Sequence, residues 1–203
     1  MKKSWFCLAL AAALVVTALP AQGALLFFHA DLSGANEVPP TGSPAVGFAD
    51  FTLDTVTNEL TGDITFSGLL ANTTAAHIHC CLTNPFQTGQ NVGVATLIPA
   101  FPFFPLGVTS GTDHFVLDLD LPTSYNPGFV SGAPFSGNFA AAEAAFINGL
   151  ETGRTYLNIH TAAPNGFPGG EIRGFVVVPE PMTASLLLAG LAAVLALRRR
   201  SRS

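Results

Sequence analysis

Lysine is absent from residues 24–178, and Arg154 and Arg173 are the only arginines there. Twelve Asp and Glu share that stretch, so its formal charge is 2 − 12 = −10 with His neutral. Two arginines cannot neutralise a run of phosphates, which excludes a nucleic acid partner. Charge of either sign is scarce in the whole chain, at 10% of residues, where soluble domains carry about 25%. Cysteine is scarce too. Cys7 lies in the first apolar run, which leaves Cys80 and Cys81 for the rest. One adjacent pair cannot build a disulfide framework, and about 155 residues can bury a core without one. That length fits a single domain. Catalytic signatures are also missing. There is no Gly-x-Ser-x-Gly elbow, no His-Glu-x-x-His and no nucleotide loop.

The basic residues that do exist collect at the two ends. Lys2 and Lys3 precede an apolar run from Trp5 to Leu19, and Ala21-Gln22-Gly23 then supplies small residues. That order predicts a secretory signal peptide over 1–23, cleaved after Gly23. At the other end Pro179-Glu180-Pro181 is followed by the apolar run Met182–Leu197 and by Arg198, Arg199, Arg200 and Arg202. Sixteen apolar residues just reach across hydrocarbon if the flanks snorkel, and the arginines would stay cytoplasmic. Residues 179–203 closely resemble the PEP-CTERM sorting signal. The resemblance implies recognition by an exosortase, cleavage near Pro179-Glu180-Pro181, and release to the cell surface or extracellular matrix. A chain of this kind uses the secretion machinery, is membrane-tethered during processing, and carries two hydrophobic targeting helices around its domain.

The middle reads as all-β. Leu60, Ile64 and Phe66 share one parity, and Thr61, Asp63, Thr65 and Ser67 hold the other. This alternation marks a half-buried strand. Phe51 and Leu53 end the strand before it, across a turn at 54–58. Phe115, Leu117, Leu119 and Leu121 alternate with His114, Asp118 and Asp120, and Leu157 and Ile159 alternate with Tyr156, Asn158 and His160. Val92–Leu97 reads as a further short strand. Ile172, Val176 and Val178 form the last one, with Gly174 as a bulge or point of close approach. Ala-rich Phe139–Leu150 is the exception and predicts one short helix, capped by Ser136 or Asn138. Several short strands with few charges predict an antiparallel Greek-key-like β-sandwich or barrel.

Five histidines lie in this domain: His29, His77, His79, His114 and His160. On a strand, residues i and i+2 share a face, so His77 and His79 stand side by side with Ile78 turned to the core. His160 faces away from Leu157 and Ile159 and can supply a third imidazole. Three imidazoles suit copper or zinc. The plainer reading is two exposed histidines and one hydrogen-bonded histidine on a sheet edge. Cys80-Cys81 leaves several readings open: a vicinal disulfide in an oxidising compartment, a reduced pair, or soft ligands favouring Cu(I). A Cys-His nucleophile ranks last, because no oxyanion-hole signature surrounds it. Glu171 and Arg173 alternate beside Gly169-Gly170 and read as a structural ion pair or turn anchor rather than as catalytic groups.

Three segments carry a family resemblance. Phe28-His29-Ala30-Asp31-Leu32-Ser33-Gly34-Ala35-Asn36-Glu37-Val38-Pro39-Pro40 resembles the opening of the CHRD (chordin-type) domain. Ala76-His77-Ile78-His79 resembles its central motif. Asn158–Ala163 together with Gly169–Gly174 resembles its closing motif. The resemblance spans residues 27 to about 178 and implies an extracellular β-sandwich module. The chain departs from the commoner bacterial form in its Cys80-Cys81 and in the apolar loop Pro99–Pro105. A weaker resemblance is to copper/zinc superoxide dismutase, whose three copper ligands His77, His79 and His160 would match. No counterpart of the bridging histidine or zinc loop is present.

Two functions are expected on these grounds. The first is an exported noncatalytic surface or matrix module, 24–178, whose partners include extracellular polysaccharide or matrix. The alternative is a mononuclear copper or zinc protein. A hydrolase is a distant third.

Overall fold

The computed structural model describes residues 24–179. The segment read as signal peptide and the sorting signal from Glu180 onward, with Pro181, lie outside the described residues, and so do the two targeting helices expected there. Among the described residues no helix is long and apolar enough to cross a membrane.

Seven antiparallel strands form one curled sheet, a half-barrel. They are β1 (Leu25–Ser33), β2 (Val46–Asp54), β3 (Glu59–Ser67), β4 (Thr73–Cys80), β5 (Gly111–Asp118), β6 (Thr155–Thr161) and β7 (Ile172–Phe175). Their order across the sheet is β4-β6-β7-β1-β2-β3-β5. The expected all-β class holds. Of the expected sandwich or barrel, the single curled sheet is nearer the barrel, a half-barrel whose inner side is filled by side chains rather than by a second sheet. Phe101 stacks on Phe115 at 4.1 Å between ring centroids, and Phe104 stacks on Phe66 at 5.4 Å. The apolar loop Pro99–Pro105 is thus a plug where a second sheet would otherwise sit.

The alternation in β3 is borne out. Leu60, Ile64 and Phe66 are buried, and Phe28, Ala30, Leu32, Phe51, Leu53, Phe115 and Leu117 join them. Each such large side chain contributes about 1.5–3 kcal/mol when fully withdrawn from water. β5 stops at Asp118, although Leu119 continues into the core. β7 stops at Phe175; Val177 adds one bridge to His29, and Val178 is exposed. Gly174 is a point of close approach, since a Cβ there would lie 2.8 Å from the Asp31 carbonyl oxygen.

Val92–Leu97 is not a regular strand. It makes isolated bridges, His79 with Val94 and Thr96 with Tyr125. It covers the open edge of β4: the amides of Ala95 and Cys80 donate to the carbonyls of Ile78 and Gly93, and Thr96 Oγ1 accepts from the Ile78 amide. An irregular segment here satisfies an edge that would otherwise invite pairing with another chain.

The expected helix is α2 (Phe139–Glu151), preceded by the short α1 (Pro127–Ser131). Five alanines in α2 favour it. Asn138, not Ser136, is the cap, its side chain accepting from the Ala141 amide at 3.1 Å. Gly153 ends it with φ +67°, a left-handed conformation suited to glycine. Phe146 and Leu150 face the core.

Candidate metal centre

β4 and β6 are paired so that His77 opposes Asn158, His79 opposes Tyr156 and Ala75 opposes His160. Opposed residues share a face. The three imidazoles therefore stand on one side of the sheet, with Ala76, Ile78, Leu157 and Ile159 buried on the core side. Ring centroids are 4.6 Å apart for His77–His160, 4.9 Å for His77–His79 and 6.0 Å for His79–His160. One ligand nitrogen from each ring lies within 4.8 Å of the other two. The expectation that these strands are neighbours is met. The plainer reading of two exposed histidines is not, because all three are buried, at 5%, 8% and 8% exposure.

Their outer nitrogens are held by loops. His79 Nδ1 lies 2.7 Å from the Val92 carbonyl, and His160 Nδ1 lies 2.9 Å from the Pro168 carbonyl. A carbonyl only accepts, so both protons sit on Nδ1 and both Nε2 carry a lone pair. Those two Nε2 atoms are buried and have no hydrogen-bond partner among the described residues, and the same holds for His77 Nδ1. Orphaned buried polar atoms are costly, and three of them converge here. Burial drives the His77 imidazole down to about 3, helped by His160 and His79. Burial also lowers His79 to about 4, against the bond to Val92. His160 is lowered by burial, against its bond to Pro168. All three rings are neutral near neutral pH, the form that coordinates metal.

A wall of buried polar groups stands behind them. Tyr156 stacks on His79 at 4.6 Å, and the Arg173 guanidinium lies 3.9 Å over the same tyrosine ring. Arg173 pairs with Glu37 at 3.1 Å, donates to the Gln90 carbonyl at 3.1 Å, and also donates to Asn91 Oδ1. Burial raises the Glu37 carboxyl, and Arg173 opposes that shift. The sequence alone does not single out Glu37, Gln90 and Asn91 as members of this wall. Glu37 sits in the opening segment, far along the chain from Arg173, so no local spacing signals the pair.

Glu171 and Arg173 do not pair with each other. Glu171 is fully buried and accepts from Ser43 Oγ at 2.6 Å, the Leu70 amide at 2.8 Å and Thr161 Oγ1 at 2.6 Å. It anchors turns, while the cation goes to Glu37. Cys80 and Cys81 form a vicinal disulfide, so they offer no thiolate to a metal in this state. His29 and His114 stay apart from the cluster and bond to Asp50 and Asp63.

No curated protein and no solved structure matches the chain. A family model, the CHRD domain, matches residues 28–176. That match covers all seven strands except the first three residues of β1, and the chain belongs to the CHRD domain family.

Proposed function

We propose that the domain binds one copper or zinc ion through His77, His79 and His160. The observation that carries this is the meeting of three buried imidazoles, each offering a ligand nitrogen within 4.8 Å of the other two, in a cluster where His77 Nδ1, His79 Nε2 and His160 Nε2 have no hydrogen-bond partner among the described residues. Neutral imidazoles favour these metals over magnesium or calcium. The carbonyls of Val92 and Pro168 fix two ring orientations, as outer hydrogen bonds do for metal-binding histidines. Bound there, the metal would supply Lewis acidity, or one-electron chemistry if it is copper. Arg173 adds a positive charge behind Tyr156, and its pairing with Glu37 keeps that wall neutral overall.

Titration of the purified protein with zinc and with copper, followed by calorimetry, tests the site. His79→Ala should weaken binding at least about 100-fold, while His29→Ala and His114→Ala should leave it within about twofold. Wild-type binding no tighter than about millimolar, some 4 kcal/mol, would return the histidines to a structural role.

The wider setting we propose is an exported, noncatalytic surface or matrix module. The support is the signal-like start and the Pro179-Glu180-Pro181, apolar, arginine-rich end. Intact-mass measurement on protein from its native host tests this. A mature chain starting near Ala24 and ending near Pro179–Pro181 is expected. One that retains Arg198–Arg200 would leave a simple tail anchor and remove the exosortase.

A further inference from the structure

A cavity of about 570 Å³ lies at the end of β4, walled by the Cys80–Cys81 disulfide, Val94, Phe129, Pro134, Phe135 and Arg154. Its volume is that of a small-molecule site. None of the three clustered histidines lines it, so a ligand there would touch none of His77, His79 and His160.

The walls are apolar. Phe129 and Phe135 meet edge to face at 5.0 Å between centroids. The two sulfurs are bonded to each other, with no thiol proton to donate, and rest 3.8 and 3.5 Å from the Ala145 carbonyl oxygen. They present a polarisable, apolar floor. Polar side chains are few in the lining. Asn126 is the one neutral polar side chain there, and its oxygen is already engaged, accepting from the Gly128 amide at 2.9 Å.

Charge at the cavity is one-sided. No Asp or Glu lines it, although the domain holds twelve. Arg154 is the single cation on its wall. Among the described residues Arg154 pairs with no carboxylate, whereas Arg173 is spent on Glu37. The guanidinium is nonetheless fixed in place. Nε donates to Thr152 Oγ1 at 3.0 Å, and one terminal nitrogen donates to Asn148 Oδ1. The other terminal nitrogen has no partner among the described residues. A planar donor held like this suits a carboxylate. Sugar hydroxyls would find few side-chain partners here beyond Asn126 and Arg154.

We propose that this cavity binds a small organic carboxylate carrying a flat apolar ring. The carboxylate meets Arg154, and the ring packs on the phenylalanines and the disulfide.

The probe is sodium phenylacetate, titrated into the purified protein by calorimetry. Phenylacetamide serves as its neutral match and sodium glucuronate as a carboxylate with a polar ring. Phenylacetate should bind with Kd between about 10 μM and 1 mM, and both comparators at least about tenfold more weakly. Arg154→Gln should weaken phenylacetate at least about tenfold. Because Arg154 also secures the end of α2, half-buried Phe135→Ala provides a second variant, expected to weaken binding about fivefold. Circular dichroism checks that both variants fold. Phenylacetate binding weaker than about 10 mM overturns the proposal. So does binding unchanged in both variants, or glucuronate binding more tightly than phenylacetate.

Discussion

Tyr156 lies flat on His79, 12° from parallel, and the Arg173 guanidinium lies 3.9 Å over the same ring. The stack joins the histidine cluster to the buried Arg173–Glu37 pair, whose side chains are 2% and 3% exposed. A buried pair contributes little net stability, yet removing one partner leaves the other charge uncompensated. Arg173→Met should therefore cost about 3–5 kcal/mol in urea unfolding. The double change Arg173→Met with Glu37→Gln should recover part of that loss. A single variant within about 1 kcal/mol of wild type would mean that Glu37 is not held as a buried anion.

The β3 register gives a direct contrast. Phe66 is 2% exposed and stacked on Phe104, whereas neighbouring Thr65 points to the other face. Phe66→Asp buries an unpaired carboxylate at a cost of several kcal/mol and should abolish the folded state. Thr65→Asp should change stability by less than about 1 kcal/mol. Circular dichroism and urea unfolding of both proteins check this. Similar behaviour of the two would mean that the strand is turned over.

Much of this was legible from periodicity. β3 and the 156–160 strand follow a period of two, which a sequence displays, and α2 shows in its alanine-rich composition. The shared face of His77 and His79 follows from the same rule, and His160 from its parity with Tyr156 and Asn158. What was hidden depends on contacts distant in the chain. Phe101 and Phe104 sit in a proline-rich loop with no period, so their role as a core plug in place of a second sheet could not be seen. Glu37 lies 136 positions before Arg173. The carbonyls of Val92 and Pro168 belong to backbone that any residue type could supply. Cys80-Cys81 was open because adjacency alone does not decide between thiols and a disulfide.

Tyr125 offers a test in the other direction. Its ring is 2% exposed and packs against Phe139 and Phe146, but its hydroxyl has no hydrogen-bond partner among the described residues. Burial raises that phenol, with Glu143, Asp120 and Asp118 adding to the shift. A buried hydroxyl without a partner is a cost that the ring's packing has to outweigh. Tyr125→Phe should keep the packing and raise stability by about 0.5–1 kcal/mol in urea unfolding. A loss of more than about 1 kcal/mol would show that the hydroxyl finds a bound water or another partner.

Part of the pH dependence lies on the exposed side of the sheet. His29, Asp50, Asp63 and His114 face one another in a row across β1, β2, β3 and β5. His29 Nδ1 is 2.7 Å from Asp50 Oδ1, and its Nε2 is 3.1 Å from Asp31 Oδ1. A neutral imidazole has one proton and can serve only one of these acceptors, so the cation is favoured. The bond to Asp50 raises the His29 pKa most, against partial burial, and Asp31 adds to it. A folded pKa raised above the unfolded value of about 6.5 makes a contribution fully present below that pH. It is lost as pH rises through the folded value. The side chain is 32% exposed, so solvent screening holds the contribution below about 1 kcal/mol. His29→Asn should therefore lower stability at pH 5.5 and have a smaller effect at pH 8.5, read from urea midpoints at both values. An equal loss at both pH values would mean that the neutral ring, bonded to one carboxylate, already supplies everything His29 contributes.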